Sequence, residues 1–495
     1  MHTLILEYRE QKWLHNLLTP ACPCAFAFQR RLVCIHLLNL HPEHTWNLGQ
    51  SLGQLRATPV RTAGGEAPDA LLLAYCADFD LDPYIEMFFF PSDTLHLALV
   101  GLDGKVRWKV DLGPGAIPGM WFSPFFAMDL DGDGFESIYT VLSADPQHPL
   151  SQNQRVVRKL SPHDGSVLAE YPWINRMRVD LGAQWMGMQF RDFVFGGRVG
   201  GEPVFVTAQG TYGDMYLRGF GPGMVERWDH FISADSLGAR GSHMCSVLDW
   251  NGDGDDELLW GERLISLRDG RELWCADREV YQGHSDIIQP VRMADGRFNL
   301  FTARESDPDA TPRVAVFDDQ GQRRFGGVDA GHMDMGWVAR AGPGNEPLGM
   351  AVRIGRKTCG PDGRFHANPE IFSWDLTSGE PLTLPFPAYG TLPVDLDGDG
   401  KHEFLYGIPG QDGRLVNADG EALGTIPGCA ALLQHIGPWP GEQVLSFTPE
   451  GDVTLWRDLD AVDHENAHVR YDHPAYKNLT RFGATGWNLA ILGGI

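Results

Sequence analysis

The chain has 495 residues with 40 Lys and Arg against 65 Asp and Glu, which gives a formal net charge of −25. Nucleic acid and anionic membrane surfaces are therefore not expected as partners, because both attract basic patches. With 59 Gly, 33 Pro and 15 Trp among many short apolar runs, the composition indicates a β-rich repeat protein that can be one large unit, rather than the several domains that length alone suggests.

Targeting signals and cysteine usage limit the possible cellular locations of the protein only in part. No run of about 18 apolar residues is present to span a membrane, and the first 45 residues lack the pattern of a secretory signal. The eight cysteines are scattered, which favours free thiols over a disulfide framework. The calcium loops described below suggest an extracellular or periplasmic location, whereas the missing signal leaves a cytoplasmic one open.

A repeating phrase of short apolar strands separated by Asp/Gly turns organises the chain. It fits eight segments, which are residues 70–112, 123–173, 184–231, 243–275, 284–325, 332–384, 392–426 and 432–456. Four strands per repeat are typical of propeller blades around a central channel. We therefore predict an all-β fold, a single β-propeller domain spanning residues 1–495 with seven or eight four-stranded blades. The segments Ala25–Asn39 and Gly486–Leu492 read as strands that close the ring, and the place of residues 1–45 stays open.

Three of the repeats contain an acidic loop. Their candidate ligands are Asp249, Asn251, Asp253 and Glu257 in the first, Asp395, Asp397, Asp399 and Glu403 in the second, and Asp129, Asp131 and Asp133 in the third. Oxygen side chains at positions 1, 3, 5 and 9 can surround one Ca²⁺, and the Gly at position 6 permits the sharp turn.

These loops differ from an EF-hand in how they close. An EF-hand carries a bidentate Glu at position 12 on a helix, whereas position 12 here is Trp260, Tyr406 or Thr140 in strand-like sequence. The loops are therefore predicted to bind Ca²⁺ within β-hairpins. The third copy has Ser137 at position 9 and is expected to bind more weakly. A tight Asp/Gly turn without metal is the alternative.

Three histidines recur in phase with the repeats. His243 stands six residues before Asp249, and His284 and His332 open the next two repeats. Successive blades enter their innermost strands from the same face of a propeller, so these side chains should share one end of the channel with Tyr389 and Trp185. They could be bases, metal ligands or sugar contacts. The alternative is that each histidine satisfies a local turn.

The ordered series of motifs resembles family 11 rhamnogalacturonan lyases. The likeness covers about residues 235–480 and is carried by the run from Gly241 to Gly261, by Gly283-His284-Ser-Asp286, by Ala303-Arg-Glu305, by Asp329–Gly336 and by Tyr471-Asp-His-Pro-Ala-Tyr476. The acidic loops alone are also similar to those of integrin-type FG-GAP propellers. The resemblance implies an eight-bladed propeller with bound Ca²⁺ that cleaves at a uronic acid by β-elimination. Ulvan lyases, which are also propellers, use a His/Tyr pair.

Elimination at a uronate requires a neutralised carboxylate, a base for the C5 proton and an acid for the departing O4. We assign His243 or His284 as the base, Tyr389 or Tyr281 as the acid, and Arg240 or Arg353 as the carboxylate clamp. His332 is a further catalytic candidate, and Trp185 and Trp337 are candidate sugar-stacking residues.

Three functions are compatible with these residues. The first is a lyase of an acidic polysaccharide, rhamnogalacturonan-like or ulvan-like. The second is a non-catalytic propeller that binds a glycan or a protein, and the third is a glycan hydrolase with two carboxylates at the mouth. A monomer is expected. Release of an unsaturated product would separate the first function from the other two.

Overall fold

The computed structural model describes residues 37–495 except 66, 85–86, 146, 148–153, 177–186, 188–189 and 361–362. Eight four-stranded antiparallel sheets follow one another through these residues and form an eight-bladed propeller. The predicted all-β propeller is confirmed, and the number of blades is eight.

Strand β1 (Leu40–Asn47) comes first in the chain but belongs to the last blade. The first four blades are formed in chain order by β2 (Gln54–Val60), β3 (Ala70–Cys76), β4 (His96–Gly101) and β5 (Val106–Asp111); by β6 (Phe125–Met128), β7 (Ser137–Ser143), β8 (Arg155–Leu160) and β9 (Val167–Pro172); by β10 (Asp192–Val199), β11 (Glu202–Gln209), β12 (Met215–Gly221) and β13 (Val225–Ile232); and by β14 (Cys245–Leu248), β15 (Glu257–Trp260), β16 (Arg263–Ser266) and β17 (Glu272–Cys275).

Blade five is formed by β18 (Ser285–Arg292), β19 (Phe298–Arg304), β20 (Val314–Phe317) and β21 (Arg323–Gly327); blade six by β22 (His332–Arg340), β23 (Pro347–Ile354), β26 (Glu370–Asp375) and β27 (Pro381–Leu382), with an inserted hairpin of β24 (Arg356–Gly360) and β25 (Gly363–Ala367); blade seven by β28 (Thr391–Val394), β29 (Glu403–Tyr406), β30 (Arg414–Val416) and β31 (Ala422–Thr425); and blade eight by β32 (Cys429–Gln434), β33 (Gln443–Phe447), β34 (Asp452–Asp458) and β1.

Burial follows the order of strands within a blade. Strands β6, β14 and β28 are innermost in their blades and are buried along their whole length. The outermost strands β5 and β9 are exposed at every second residue. A strand that is covered on both faces reads as a continuous apolar run, whereas an edge strand alternates. Periodicity in the sequence therefore reports the radial position of each strand.

The ring is closed by strands from the two ends of the described chain. Strand β1 pairs antiparallel with β34, which places Leu40 opposite Asp458 and Asn47 opposite Asp452. The closing strand therefore lies at residues 40–47. Residues 25–36 of the predicted closing segment Ala25–Asn39 lie outside the described residues, and 37–39 precede β1.

The C-terminal segment is helical and irregular and lies in the channel, so the prediction of a closing strand at Gly486–Leu492 is wrong. After blade eight the chain forms α1 (Glu465–Tyr471) and α2 (Pro474–Leu479) and ends in short turns. These elements contact the innermost strands of several blades, including β2, β14, β18 and β22. A Cβ on Gly493 would lie 1.9 Å from the carbonyl oxygen of Val338, so only glycine permits this approach.

The described helices and cysteines add two facts. None of these helices is both long and apolar enough to cross a membrane. The described cysteines Cys76, Cys245, Cys275 and Cys429 are free thiols, and the first two are buried.

Candidate active site at one end of the channel

Three histidines meet where the innermost strands of blades four, five and six begin. His243 and His284 precede β14 and β18, and His332 is the first residue of β22. The imidazole centroids of His243 and His284 are 4.3 Å apart. Glu305 joins the third histidine to them, since its carboxylate lies 3.1 Å from His332 Nε2 and 3.9 Å from His284 Nε2. The structure therefore brings together the three histidines that their phase placed at one end.

Two aspartates, Asp286 and Asp334, complete the cluster. No role was assigned to either from the sequence. Asp286 Oδ1 lies 3.3 Å from His243 Nε2 and 3.2 Å from His284 Nε2. Asp334 Oδ2 lies 2.7 Å from Nε2 of His366. A signal for the two aspartates was present, because each follows its histidine by two residues in His284-Ser-Asp286 and His332-Met-Asp334. Side chains two residues apart on a strand point to the same face.

Burial keeps His243 and His284 neutral. Burial lowers the pKa of His243 well below its usual value, and it lowers the pKa of His284 to about 4. His284 Nδ1 lies 3.0 Å from the carbonyl oxygen of Thr211 and donates to it, so Nε2 carries the lone pair that faces Asp286. Burial and the nearby Glu305 raise the pKa of Asp286.

Two His/Tyr pairs border the cluster. The hydroxyl of Tyr212 lies 3.4 Å from His243 Nε2 and donates to Glu305 Oε2 at 2.9 Å. The hydroxyl of Tyr389 lies 2.8 Å from Nδ1 of His366. The structure therefore places Tyr389 at the site, as its phase predicted, but pairs it with a histidine that sequence reasoning missed. Tyr212 is the partner of His243.

The inserted hairpin β24–β25 delivers basic side chains to the cluster. Lys357 on β24 lies 3.5 Å from Glu305 and forms a close ion pair with Asp334. Arg364 on β25 lies 3.6 Å from Asp82, which follows β3. His366 comes from the same strand. No repeat pattern marked this hairpin, since it interrupts blade six between β23 and β26.

Two cavities share the cluster as a wall. The outer cavity has a volume of about 330 Å³, and its walls include Arg191, Tyr212, Glu305, His332, Arg356 and Lys357. The inner cavity has a volume of about 130 Å³, and its walls include His243, Asp286, Asp334, Lys357, His366 and Tyr389. Ligand sites usually occupy about 300–1,000 Å³. The outer cavity therefore has room for sugar residues, whereas the inner one is small for them.

Four of the assigned side chains serve the scaffold instead. Tyr281 is fully buried and donates to the carbonyl oxygen of His284. Arg240 donates to the backbone carbonyls of Ser233, Ser236 and Gln282. Arg353 is held by Glu370, its cross-strand neighbour. Trp337 is buried five residues into β22 and donates to Thr391 Oγ1. Trp185 lies outside the described residues.

The acidic loops lie at the other end of the innermost strands, because they follow β6, β14 and β28. Their position-six glycines, Gly134, Gly254 and Gly400, have φ of +91°, +89° and +87°, a conformation that glycine adopts freely. In the loop after β28, carboxylate oxygens of Asp395, Asp397 and Asp399 lie within 4.8 Å of one another. In the third copy, Asp131 is instead paired with Lys159.

The loop after β28 fits a cation by its chemistry. Burial raises the pKa of Asp395 to about 7 and raises that of Glu403 well above its usual value, with Asp397 adding to the shift of Glu403. Buried carboxylates held this close need positive charge nearby. The histidine cluster offers two further donor groups whose atoms lie within 4.8 Å of one another: His243, His284, Asp286 and Glu305, and Asp286, Glu305, His332 and Asp334.

The chain is similar to rhamnogalacturonan lyases. It is 25% identical over 467 residues to rhamnogalacturonan exolyase YesX of Bacillus subtilis (strain 168), an alignment that covers 81% of this chain and 72% of that protein. It is 23% identical over 429 residues to rhamnogalacturonan endolyase YesW of the same organism, with 79% and 64% covered. The crystal structure of YesX superimposes with a TM-score of 0.72 at 18% identity and covers 92% of this chain and 81% of that chain.

These comparisons confirm the resemblance inferred from residues 235–480 and extend it over most of the chain. No protein-family model matches the sequence. The chain spans slightly less than two thirds of YesW, and the structural likeness at this identity shows the fold.

His332 gives this site a pH dependence. Burial lowers its pKa, but hydrogen bonds with Asp334 and Glu305 outweigh burial and raise it to about 9. The unfolded value is about 6.5, so the stabilisation by protonated His332 is complete below about pH 6.5 and is lost as the pH rises through about 9. We expect the loss of unfolding free energy in His332→Gln to be largest in acid and to shrink towards pH 9. Urea denaturation across this range would measure it.

His41→Gln removes an exposed histidine of β1 and serves as the control. A difference between wild type and His332→Gln that stays constant from about pH 6 to 9 would contradict the raised pKa.

Proposed function

We propose that the protein is a polysaccharide lyase that cleaves a uronic-acid-containing polysaccharide of the rhamnogalacturonan type by β-elimination. The observation that carries the proposal is the Tyr212–His243 pair beside an outer cavity that also presents the basic groups of Arg356, Lys357 and His332. The similarity to an exolyase and an endolyase of rhamnogalacturonan supports both the reaction type and the substrate class.

The first requirement of elimination is a neutralised carboxylate. The C5 proton of a uronate becomes acidic enough to abstract only when the adjacent carboxylate is held by positive charge. Arg356 is exposed on the hairpin and lines the outer cavity. We assign it as the clamp, in place of Arg240 and Arg353, because a guanidinium can bind a carboxylate through two parallel hydrogen bonds.

The second requirement is a base for the C5 proton. Burial and the charge of Glu305 raise the pKa of Tyr212 well above its usual value, so the hydroxyl holds its proton at rest. His243 is neutral and lies 3.4 Å from this hydroxyl. As the Tyr212 oxygen takes the C5 proton, the hydroxyl proton turns from Glu305 Oε2 to His243 Nε2 and is transferred to that nitrogen. At rest, Glu305 accepts from the same hydroxyl at 2.9 Å and orients it.

The third requirement is an acid for the leaving oxygen. His332 stands on the outer cavity with a pKa of about 9 and is protonated at neutral pH. It donates its proton to O4 as the C4–O4 bond breaks and the C4–C5 double bond forms. One proton enters the site on His243 and one leaves from His332, so the charge of the protein is unchanged over the step.

Calcium is the cation assigned to the acidic loops. Asp395, Asp397, Asp399 and Glu403 supply only hard oxygen donors, which suit Ca²⁺. When bound, Ca²⁺ neutralises buried carboxylates and fixes the turn after β28. The loops follow the innermost strands whereas the histidines precede them, so this ion acts on the stability of the blades.

The test is the ultraviolet absorbance of unsaturated uronate while the protein is incubated with rhamnogalacturonan, ulvan and pectin. We expect absorbance to rise with rhamnogalacturonan. We expect a chelator to lower the thermal midpoint, and to lower turnover only to the extent that the protein unfolds. Tight glycan binding without any rise in absorbance would replace the lyase with a binding propeller, and new reducing ends without a double bond would indicate a hydrolase.

A further inference from the structure

Lys357 contacts two carboxylates at the active site. Its ammonium lies 3.5 Å from Glu305 Oε1 and makes a close ion pair with Asp334 Oδ1. The side chain is only 12% exposed. Although burial lowers the pKa of Lys357, the charges of Asp334, Glu305 and Asp286 raise it overall. The lysine is therefore held as a cation by Asp334 and Glu305. These two side chains and the neighbouring Asp286 are named here the carboxylate trio.

The carboxylate trio has the geometry of a divalent-cation site. Donor atoms of Asp286, Glu305 and Asp334, together with one nitrogen of His332, lie within 4.8 Å of one another. Asp286 is 2% exposed, and its Oδ1 makes no hydrogen bond, although Nε2 of His243 and Nε2 of His284 lie 3.3 and 3.2 Å from it. Oxygen donors at this spacing are what Ca²⁺ and Mn²⁺ coordinate. An oxygen without a hydrogen bond in such a position is a ligand whose cation has to be identified.

We infer that the ammonium of Lys357 is the resident cation of the carboxylate trio, standing where a divalent metal ion would otherwise bind. Lys357 belongs to β24 of the hairpin inserted in blade six, and the trio comes from blades five and six. The hairpin therefore adds a positive charge to a site whose three carboxyl groups come from the blades themselves. An ammonium is a compact point charge on a flexible stem, so it can sit among oxygens as a metal ion does.

The inference assigns Lys357 a positioning role in the proposed lyase reaction. By balancing Glu305, it keeps this carboxylate in place to accept from Tyr212 and to face His332. By balancing Asp334, it fixes His366 through the contact of 2.7 Å. The inference rests on the proposed function only for this role, because the exchange of ammonium for metal is a property of the folded protein without substrate.

The experiment counts bound Mn²⁺ by electron paramagnetic resonance in the full-length wild type, Lys357→Met and Lys105→Met. Methionine keeps the length of the stem and removes the charge. Lys105 pairs with Asp103 at the surface and is the matched control. We expect Lys357→Met to bind one more Mn²⁺ than wild type and Lys105→Met to bind the same number. Adding Asp334→Asn to Lys357→Met should remove the extra ion.

The turnover number provides a second test of whether a metal ion can replace the ammonium of Lys357. Lys357→Met should lose kcat without metal and recover part of it as the extra Mn²⁺ binds, whereas Lys357→Arg should need no metal. A folded Lys357→Met that binds no extra ion would overturn the inference even if the lyase reaction is established. A failed lyase assay together with one extra ion would remove the proposed function and keep the inference.

Wild type itself provides a check that does not depend on the variant folding. Anomalous scattering from wild-type crystals soaked in Mn²⁺ should place ions at acidic loops and none among Asp286, Glu305 and Asp334. An Mn²⁺ peak bonded to these three carboxylates in wild type would show that Lys357 is not their resident cation.

Discussion

Replacing Tyr212 by Phe is expected to lower kcat on rhamnogalacturonan by about two to four orders of magnitude, the usual contribution of a positioned acid–base group. The change deletes only the hydroxyl that donates to Glu305 and faces His243. The ring stays in place, because it packs 4.3 Å from the imidazole of His284 and beneath the guanidinium of Arg191. KM should therefore change little, and steady-state kinetics would separate the two constants.

The second His/Tyr pair offers a matched control for this prediction. Tyr389→Phe removes a hydroxyl that lies 2.8 Å from His366 and borders the inner cavity. That cavity, at about 130 Å³, is smaller than usual ligand sites, so turnover should stay within a few-fold of wild type. A large loss of kcat in Tyr389→Phe with near-normal turnover in Tyr212→Phe would move the chemistry to the His366–Tyr389 pair.

The blades could be predicted because their signal is local and repeated. Each acidic loop follows an innermost strand and carries a glycine with φ near +90°, so a loop in the sequence fixes the phase of its blade. From that phase, the residue that precedes the strand lies at the opposite end of the channel. This rule identifies His243, His284 and His332 from the sequence alone.

The phase of the repeats did not predict the remaining residues of the cluster, because it identifies only residues at the starts of innermost strands. In an antiparallel blade, the end of the second strand lies beside the start of the first. Tyr212 follows β11 and Glu305 follows β19, so both reach the same end as the histidines. Lys357 and His366 could not be found by phase, because their hairpin interrupts the repeat.

The misassigned arginines show a different limit of sequence reasoning. Arg240 and Arg353 stand near the predicted site in the sequence, but the first is used by backbone carbonyls and the second by the cross-strand carboxylate of Glu370. Which partner satisfies a guanidinium depends on strand register and on loop conformation. Neither can be read from residue type alone, so a basic residue in an acidic chain is an ambiguous sign of a substrate clamp.

The tyrosines that supported the resemblance have a structural explanation at the far end of the channel. In the run Tyr471-Asp-His-Pro-Ala-Tyr476, Tyr471 donates to Asp395 Oδ2 at 2.7 Å and Tyr476 donates to Glu442 Oε1 at 2.8 Å. The preceding residue, Arg470, bonds the same two carboxylates at 3.1 and 3.0 Å. These contacts join α1 and α2 to blade seven and blade eight, and so hold the C-terminal segment in the channel.

Arg470→Met is therefore expected to lower the free energy of unfolding by about 3–5 kcal/mol, the usual cost of leaving buried charges without their partner. Arg470 is 2% exposed, and its guanidinium also bonds the carbonyl oxygen of Ile495. Methionine would fill much of the space but would leave the carboxylate of Glu442 without its cation and would remove the guanidinium from Asp395. Urea denaturation of wild type and variant under identical Ca²⁺ concentrations would measure the loss.

Two companion variants separate the charge effect from loss of packing. Arg414→Met breaks an exposed pair with Asp412 and should change stability by no more than about 0.5 kcal/mol. Adding Glu442→Gln to Arg470→Met removes one of the stranded charges, so the double variant should recover part of the loss. If Arg470→Met costs less than about 1 kcal/mol, this network does not anchor the C-terminal segment, and apolar packing of α1 and α2 against the innermost strands has to carry that role.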